Sequence, residues 1–136
     1  MIYQRSIAAV TSAFMCAAVV IGMLTSGADA AEHVAWNQAA FASAQDAGKS
    51  IIVEVTAPWC PICAKQKPII AALESDSKFA NTIVFLVDFD SQKDVLRQLR
   101  VSMQSTLIAF KGKTEEARST GATDPAVIRA LFEHSL

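Results

Sequence analysis

Two cysteines separated by two residues, Cys60 and Cys63, are the side chains with the clearest potential for chemistry in this chain of 136 residues. They follow an apolar, β-branched run that predicts a buried strand, and they precede a segment that predicts a helix. A cysteine at the start of a helix is favoured as a thiolate, because the free N–H groups of the first turn and the positive end of the helix dipole stabilise its negative charge. Cysteines in this setting have pKa values of roughly 3.5–7.5, against about 8.5 for a free cysteine.

The residues around the pair support this placement. Pro61 suits the first helical position, where its missing N–H would have had no partner. Cys63 lies three residues after Cys60, so both sulfurs are expected on one helix face, where they can bond. We expect an exposed Cys60 to attack or accept a partner's sulfur, and a deeper Cys63 of higher pKa to resolve the mixed disulfide.

Two other interpretations of the pair stay open. The first is a metal half-site. One Cys-x-x-Cys supplies two metal ligands, whereas tetrahedral zinc needs four, and His33 and His134 lie near the two ends of the chain beyond residue 30. The sequence therefore predicts no metal and no cofactor. The second alternative is a pair of inert, buried cysteines.

The elements that must position the pair alternate along the chain. Periodicity and turn residues predict four helices, at Trp36 to Ala47, Pro61 to Lys78, Ser91 to Arg100 and from Pro125 after an Asp124 cap. In the last of these helices, Val127 is expected to face the core with Ile128, Leu131 and Phe132. They predict four strands, at Ser50 to Ala57, Thr82 to Phe89, Thr106 to Phe110 and Glu115 to Thr120. Early strands that alternate with helices predict parallel β-α-β pairing, and a short turn at Gly112 predicts an antiparallel hairpin.

Residues 1–30 are predicted to be a secretory signal. Arg5 precedes an apolar run, and the small residues of Ala28-Asp29-Ala30 predict cleavage before Ala31. An uncleaved membrane anchor is the alternative. Cleavage would remove Cys16 and leave one domain, residues 31–136, with only the Cys60–Cys63 pair. A two-residue spacer closes too short a loop to stabilise an exported fold, so the pair is better suited to reactivity.

The charge balance does not point to a nucleic-acid partner. Twelve basic and thirteen acidic residues give a formal net charge of −1, and no basic cluster is present.

Residues 53–63 (VEVTAPWCPIC), Pro68, residues 106–113 (TLIAFKGK) and Gly121-Ala122 resemble the thioredoxin superfamily, most of all its exported and periplasmic members. The resemblance implies an α/β thioredoxin fold, with a central mixed sheet of about four to five strands flanked by helices. It also implies a nucleophilic Cys60, a resolving Cys63 and a protein disulfide as substrate.

Three further positions take their expected roles from this resemblance. Glu54 matches a buried carboxylate that helps to deprotonate the resolving cysteine, and burial would raise its pKa; the alternative is a glutamate that reaches solvent past a sheet edge. Leu86 holds the place of a lysine that often accompanies that carboxylate. Trp59 matches a tryptophan that flanks the active site, with half-buried packing as the alternative, and Pro68 matches a proline that kinks the active-site helix.

Ser105 is the largest departure from the family pattern, because the family usually has a cis-proline there. A cis bond before serine costs about 2.5–4 kcal/mol, so we expect the Gln104–Ser105 bond to be trans. In the family this loop pairs with the substrate peptide, so Gln104 and Ser105 are expected to bind substrate. Trp59 and Pro61, which flank Cys60, are the other expected substrate-binding residues. Ser105 could also donate a hydrogen bond to the Cys60 thiolate, or be a neutral loop residue.

The predicted function is thiol–disulfide exchange with exported proteins, more as a reductase than as an oxidant, by a monomer that receives electrons from a membrane thiol–disulfide donor. The alternative is a binding protein that uses the pair to hold a metal, an iron–sulfur cluster or a client without turnover.

Overall fold

The computed structural model describes residues 30–136, in which the chain forms five strands and four helices. Residues 1–29 of the predicted signal segment, including Cys16, lie outside these described residues. The strands are β1 (Glu32–Ala35), β2 (Ser50–Thr56), β3 (Thr82–Asp88), β4 (Thr106–Lys111) and β5 (Thr114–Thr120). The helices are α1 (Gln38–Asp46), α2 (Pro61–Glu74), α3 (Lys93–Gln98) and α4 (Pro125–His134).

The strands form one mixed sheet in the order β1-β3-β2-β4-β5. β1 and β2 run parallel to β3, whereas β4 runs antiparallel to both β2 and β5. β2 is the central strand, and its five inner residues are buried, which explains why its sequence is nearly continuously apolar. The predicted α/β class, the mixed sheet and the hairpin at Gly112 are therefore confirmed.

Alternation along the strands divides the core into two layers. Ile51, Val53 and Val55 of β2 face a cluster that includes Phe41, Phe85 and Leu96, on the side of α1 and α3. Ile52 faces the opposite cluster, which holds the buried residues of α2 and α4. Glu54 shares the face of Ile52, so its side chain points towards α2, the helix that begins beside Cys60.

The sequence prediction was wrong at three places. It missed β1, whose four residues EHVA carry no alternating pattern and are ordered by pairing with β3. It extended α2 to Lys78, but the helix ends at Glu74 and a 3-10 turn follows, where the Asp76 side chain accepts a hydrogen bond from the Lys78 N–H at 3.0 Å. It placed Val127 in the core, although that side chain is exposed.

Candidate active site

The Cys60–Cys63 pair lies at the turn from β2 into α2, and the two residues are joined by a disulfide bond. Cys60 is the N-cap of α2, and its sulfur accepts a hydrogen bond from the Cys63 N–H at 3.0 Å. Pro61 occupies the first turn, as its sequence context predicts. The free end of a helix therefore points an N–H group at the Cys60 sulfur, which is the arrangement that stabilises a thiolate there when the disulfide is reduced.

The expectation of an exposed Cys60 is wrong for this disulfide form. Cys60 is 2% exposed and Cys63 is 1% exposed. The bond draws the two sulfurs together, and they pack in a small apolar cluster with Ala57, Ile62 and Phe89. The two cysteines therefore differ in their position on the helix, at the cap and one turn in, rather than in burial.

Trp59 and Pro61 present rings to solvent on either side of Cys60. Trp59 is 58% exposed. Its indole Nε1 donates a hydrogen bond to Asp90 Oδ2 at 2.8 Å, and its ring meets Phe89 edge to face, with the centroids 6.5 Å apart. Two contacts thus fix an aromatic surface next to the disulfide without burying it.

Glu54 is buried in the central strand, with 2% of its surface exposed. Its neighbours across the sheet are Leu86 on β3 and Leu107 on β4, both apolar. Oε1 has no hydrogen-bond partner among residues 30–136. Burial, as the largest effect, raises the pKa of Glu54 above its usual 4.5. The alternative of a glutamate reaching solvent past a sheet edge is wrong, because β2 has a strand on each side.

The loop before β4 lies at the same end of the sheet as the cysteines, because Thr106 pairs with Val55 near the end of β2. No peptide bond in residues 30–136 is cis, so the Gln104–Ser105 bond is trans as expected. Ser105 has a φ of +56°, in the left-handed region that non-glycine residues rarely adopt.

The Ser105 side chain does not serve as a hydrogen-bond donor to the Cys60 sulfur. Its hydroxyl donates to the Gln104 carbonyl at 2.6 Å, not to Cys60, and the residue is 4% exposed. Gln104 is partly buried beside it. The Ser105 carbonyl accepts hydrogen bonds from the Gly121 N–H at 2.9 Å and from Gln66 Nε2 at 3.2 Å.

The family model for thioredoxin matches residues 32–134, the range that holds every strand and helix of the described residues. The chain belongs to the thioredoxin family. With its disulfide-forming Cys-x-x-Cys pair at the start of α2, this family member is a thiol–disulfide oxidoreductase.

Several thioredoxins are similar to this family member. A thioredoxin H-type from Fagopyrum esculentum is 31% identical over 100 residues, which is 74% of this chain and 84% of that one. A structure of Trxlp from Edwardsiella tarda EIB202 is 39% identical, with a TM-score of 0.71 over 74% of this chain and 98% of that one. Thioredoxin O2 from Arabidopsis thaliana, in its oxidised state, is 27% identical, with a TM-score of 0.64 over 76% and 93% of the two chains.

Gln66 is a residue of this thioredoxin site that the sequence analysis missed. It lies three residues after Cys63 on the inner side of α2 and is 1% exposed. Its Nε2 donates to the Ala122 carbonyl at 2.8 Å and to that of Ser105, so it joins the active-site helix to the loop before β4. The sequence feature that could have identified Gln66 is its polar side chain at helical spacing between Ile62 and Ile70, on the inward face of α2.

Residues 30–136 contain no group of three or more histidine, cysteine, aspartate or glutamate side chains placed to hold a metal ion. None of the helices in that same range has both the length and the apolar character needed to span a bilayer.

Proposed function

We propose that this thioredoxin-family enzyme reduces disulfides in exported proteins, with Cys60 as the nucleophile and Cys63 as the resolving thiol. The observation that carries the proposal is the hydrogen bond from the Cys63 N–H to the Cys60 sulfur at the N-cap of α2. Because the same helix end stabilises negative charge on sulfur 60 and not on sulfur 63, Cys60 is the better leaving group and the better nucleophile.

The first step begins with the dithiol form. The Cys60 thiolate attacks one sulfur of the substrate disulfide, a Cys60–substrate bond forms, and the substrate's own S–S bond breaks. The electron pair of that bond leaves on the second substrate sulfur, which then takes a proton from solvent.

In the second step, Cys63 gives its proton to the Glu54 carboxylate and attacks Cys60. The Cys60–Cys63 bond forms, the Cys60–substrate bond breaks, and the substrate sulfur that was bound to Cys60 leaves as a thiolate. The substrate has gained two electrons and the enzyme has lost two. Glu54 lies on the α2 side of β2, and the raised pKa that burial gives its carboxyl suits a group that must both take and return a proton near neutral pH.

Substrate docking is assigned to the residues that frame the disulfide. The exposed rings of Trp59 and Pro61 offer apolar contact, and the loop at Gln104 and Ser105 offers backbone groups. In the free protein the Ser105 hydroxyl engages the Gln104 carbonyl, so a substrate peptide that pairs with this carbonyl must displace or share that hydrogen bond.

Export and re-reduction complete the proposal. Residues 1–30 act as a secretory signal, the mature enzyme is a monomer, and a membrane thiol–disulfide protein restores its dithiol, because no soluble reductant pool is expected outside the cytoplasm. The protein requires no cofactor, since both electrons reside on the two sulfurs.

Turnover of a model protein disulfide with a dithiol as electron source tests the chemistry. We expect the wild-type protein to turn over, Cys60→Ser to be inactive, and Cys63→Ser to accumulate a mixed disulfide visible as a mass adduct. Coloured or metal-loaded dimers without turnover would reject the enzyme and favour a binding protein.

Two measurements test the finer claims. A redox titration of the Cys60–Cys63 pair should give a strongly reducing potential, and a strongly oxidising value would contradict the reductase. Expression of the full chain in a bacterial host should yield a periplasmic product that begins at Ala31, and a cytoplasmic or uncleaved product would contradict the export signal.

A further inference from the structure

A cavity of about 330 Å³ lies between the sheet and α2, beside the buried carboxyl of Glu54. Four elements line it: β1, β2, β3 and α2. Its charged wall consists of His33, Lys67 and Glu74, and its apolar wall includes Leu86 and Ile70. Lys67 is exposed and the His33 side chain is 39% exposed, so the rim of the cavity meets solvent while Glu54 lies at its base.

The charged side chains of this wall act on Glu54 in opposite directions. His33 and Lys67 favour its ionised form, whereas Glu74 disfavours it. The residues that flank Glu54 from β3 and β4, Leu86 and Leu107, carry no charge. Within the described part of the chain, the charge state of Glu54 therefore depends on burial and on three side chains from β1 and α2.

His33 and Glu74 form a pair that joins β1 to α2. His33 Nδ1 lies 2.6 Å from Glu74 Oε1, without the geometry of a hydrogen bond, and Oε1 is buried with no hydrogen-bond partner in residues 30–136. The pair therefore brings β1 and α2 together along the charged wall of the cavity.

The same stripe of α2 leads from this cavity to the redox pair. Cys63, Lys67, Ile70 and Glu74 follow one another at intervals of four, three and four residues, which places them along one side of the helix. The cavity and Cys63 therefore lie along the same side of α2, and Glu54 of the central strand faces that helix.

We propose that His33, Lys67 and Glu74 are positioning residues for disulfide exchange, which set the charge state of Glu54 and connect its carboxyl to solvent through this cavity. This inference rests on the proposed function. When a dithiol's thiolate attacks Cys60, the Cys60–Cys63 bond breaks and its electron pair leaves on Cys63. Glu54 gives its proton to that sulfur and is left as the carboxylate that the next substrate cycle needs, and water in the cavity exchanges protons between this carboxyl and solvent. The second thiolate of the dithiol then attacks the dithiol sulfur that is bound to Cys60. The dithiol becomes a disulfide, the mixed disulfide breaks, and Cys60 leaves as a thiolate.

Charge-neutralising variants in the oxidised full chain test the inference. We expect Glu74→Gln to lower the pKa of the Glu54 carboxyl and Lys67→Gln to raise it, each by at least about 0.3 pH unit, or twofold in proton affinity. The carboxyl is followed by carbon-13 NMR. The pH profile for reduction of the Cys60–Cys63 disulfide by dithiothreitol should move in the same directions.

Matched controls separate electrostatics from general damage. Lys65→Gln changes an exposed lysine on the same helix, and Glu116→Gln changes an exposed glutamate on β5; neither should move either readout. Shifts of the same sign in both test variants, or no shift, would overturn the inference. Failure of the wild-type protein to turn over a protein disulfide would instead reject the proposed function, because the carboxyl titration does not depend on turnover.

Discussion

Replacing Glu54 with glutamine, a neutral side chain of nearly the same shape, should make the oxidised protein more stable at neutral pH and leave its stability nearly unchanged in acid. Glu54 is 2% exposed, and Oε1 lacks a hydrogen-bond partner within residues 30–136. Burial of such a group disfavours its ionised form and raises its pKa above 4.5.

The sign and size of the effect follow from proton linkage. Because the folded-state pKa is raised, the folded protein holds this proton to a higher pH than the unfolded chain does. The resulting stabilisation is full below pH 4.5, the unfolded value, and is lost as the pH rises through the folded-state pKa. Between those two values the wild-type protein should lose about 1.4 kcal/mol per pH unit relative to Glu54→Gln.

Urea unfolding of both oxidised proteins from pH 4 to pH 8 measures this difference, and the disulfide keeps the cysteines from titrating. The gap in free energy of unfolding should open above about pH 4.5 and then level off. Glu116→Gln, on the exposed edge strand, is the control and should track the wild type. Parallel stability curves for wild type and Glu54→Gln would refute the reasoning, since they would mean that the carboxyl titrates alike in both states.

Three further substitutions test the surrounding structure by urea unfolding. Gly112→Ala should destabilise the protein by more than Gly121→Ala. Both glycines have positive φ, but a Cβ at 112 would lie 3.1 Å from backbone, whereas one at 121 meets nothing within 4 Å. Equal losses of stability would contradict this. Gln66→Leu should cost about 1–2 kcal/mol and speed hydrogen exchange at the Gly121 amide, because the Ala122 carbonyl loses a donor and the Ser105 carbonyl keeps only one. Ser105→Pro should destabilise by more than about 1 kcal/mol, because proline cannot adopt a φ of +56°; an equally stable variant would show that this loop takes another path.

The strands and helices that carry the site were predictable because local signals and tertiary packing agree there. The central strand is apolar on both faces because it is covered on both faces, and Asp124 and Pro125 start α4 as their types require. β1 was not predictable, since its four residues become a strand only by pairing with β3. The end of α2 depended on a side-chain cap at Asp76, which competes with helix continuation.

The site itself was predictable where function imposes an unusual residue on a regular element. A glutamate in an apolar strand and two cysteines at a helix start are visible in the sequence as exceptions. Contacts between segments distant in the chain were not visible: Gln66 reaches Ser105 across 39 residues, and His33 contacts Glu74 only because β1 joins the sheet beside β3. The burial of Cys60 likewise depends on the disulfide and its packing, which composition and spacing do not report.

The central claim is that the N-terminus of α2 stabilises a thiolate at Cys60, and titration of that thiol tests it most directly. In the reduced Cys63→Ser variant, the rate of alkylation by iodoacetamide is measured as a function of pH. The midpoint of this curve gives the pKa of the Cys60 thiol, because the thiol of Cys63 is absent. We expect a pKa well below that of a free cysteine, within roughly 3.5–7.5. A value near about 8.5, that of a cysteine in an unfolded peptide, would contradict the account.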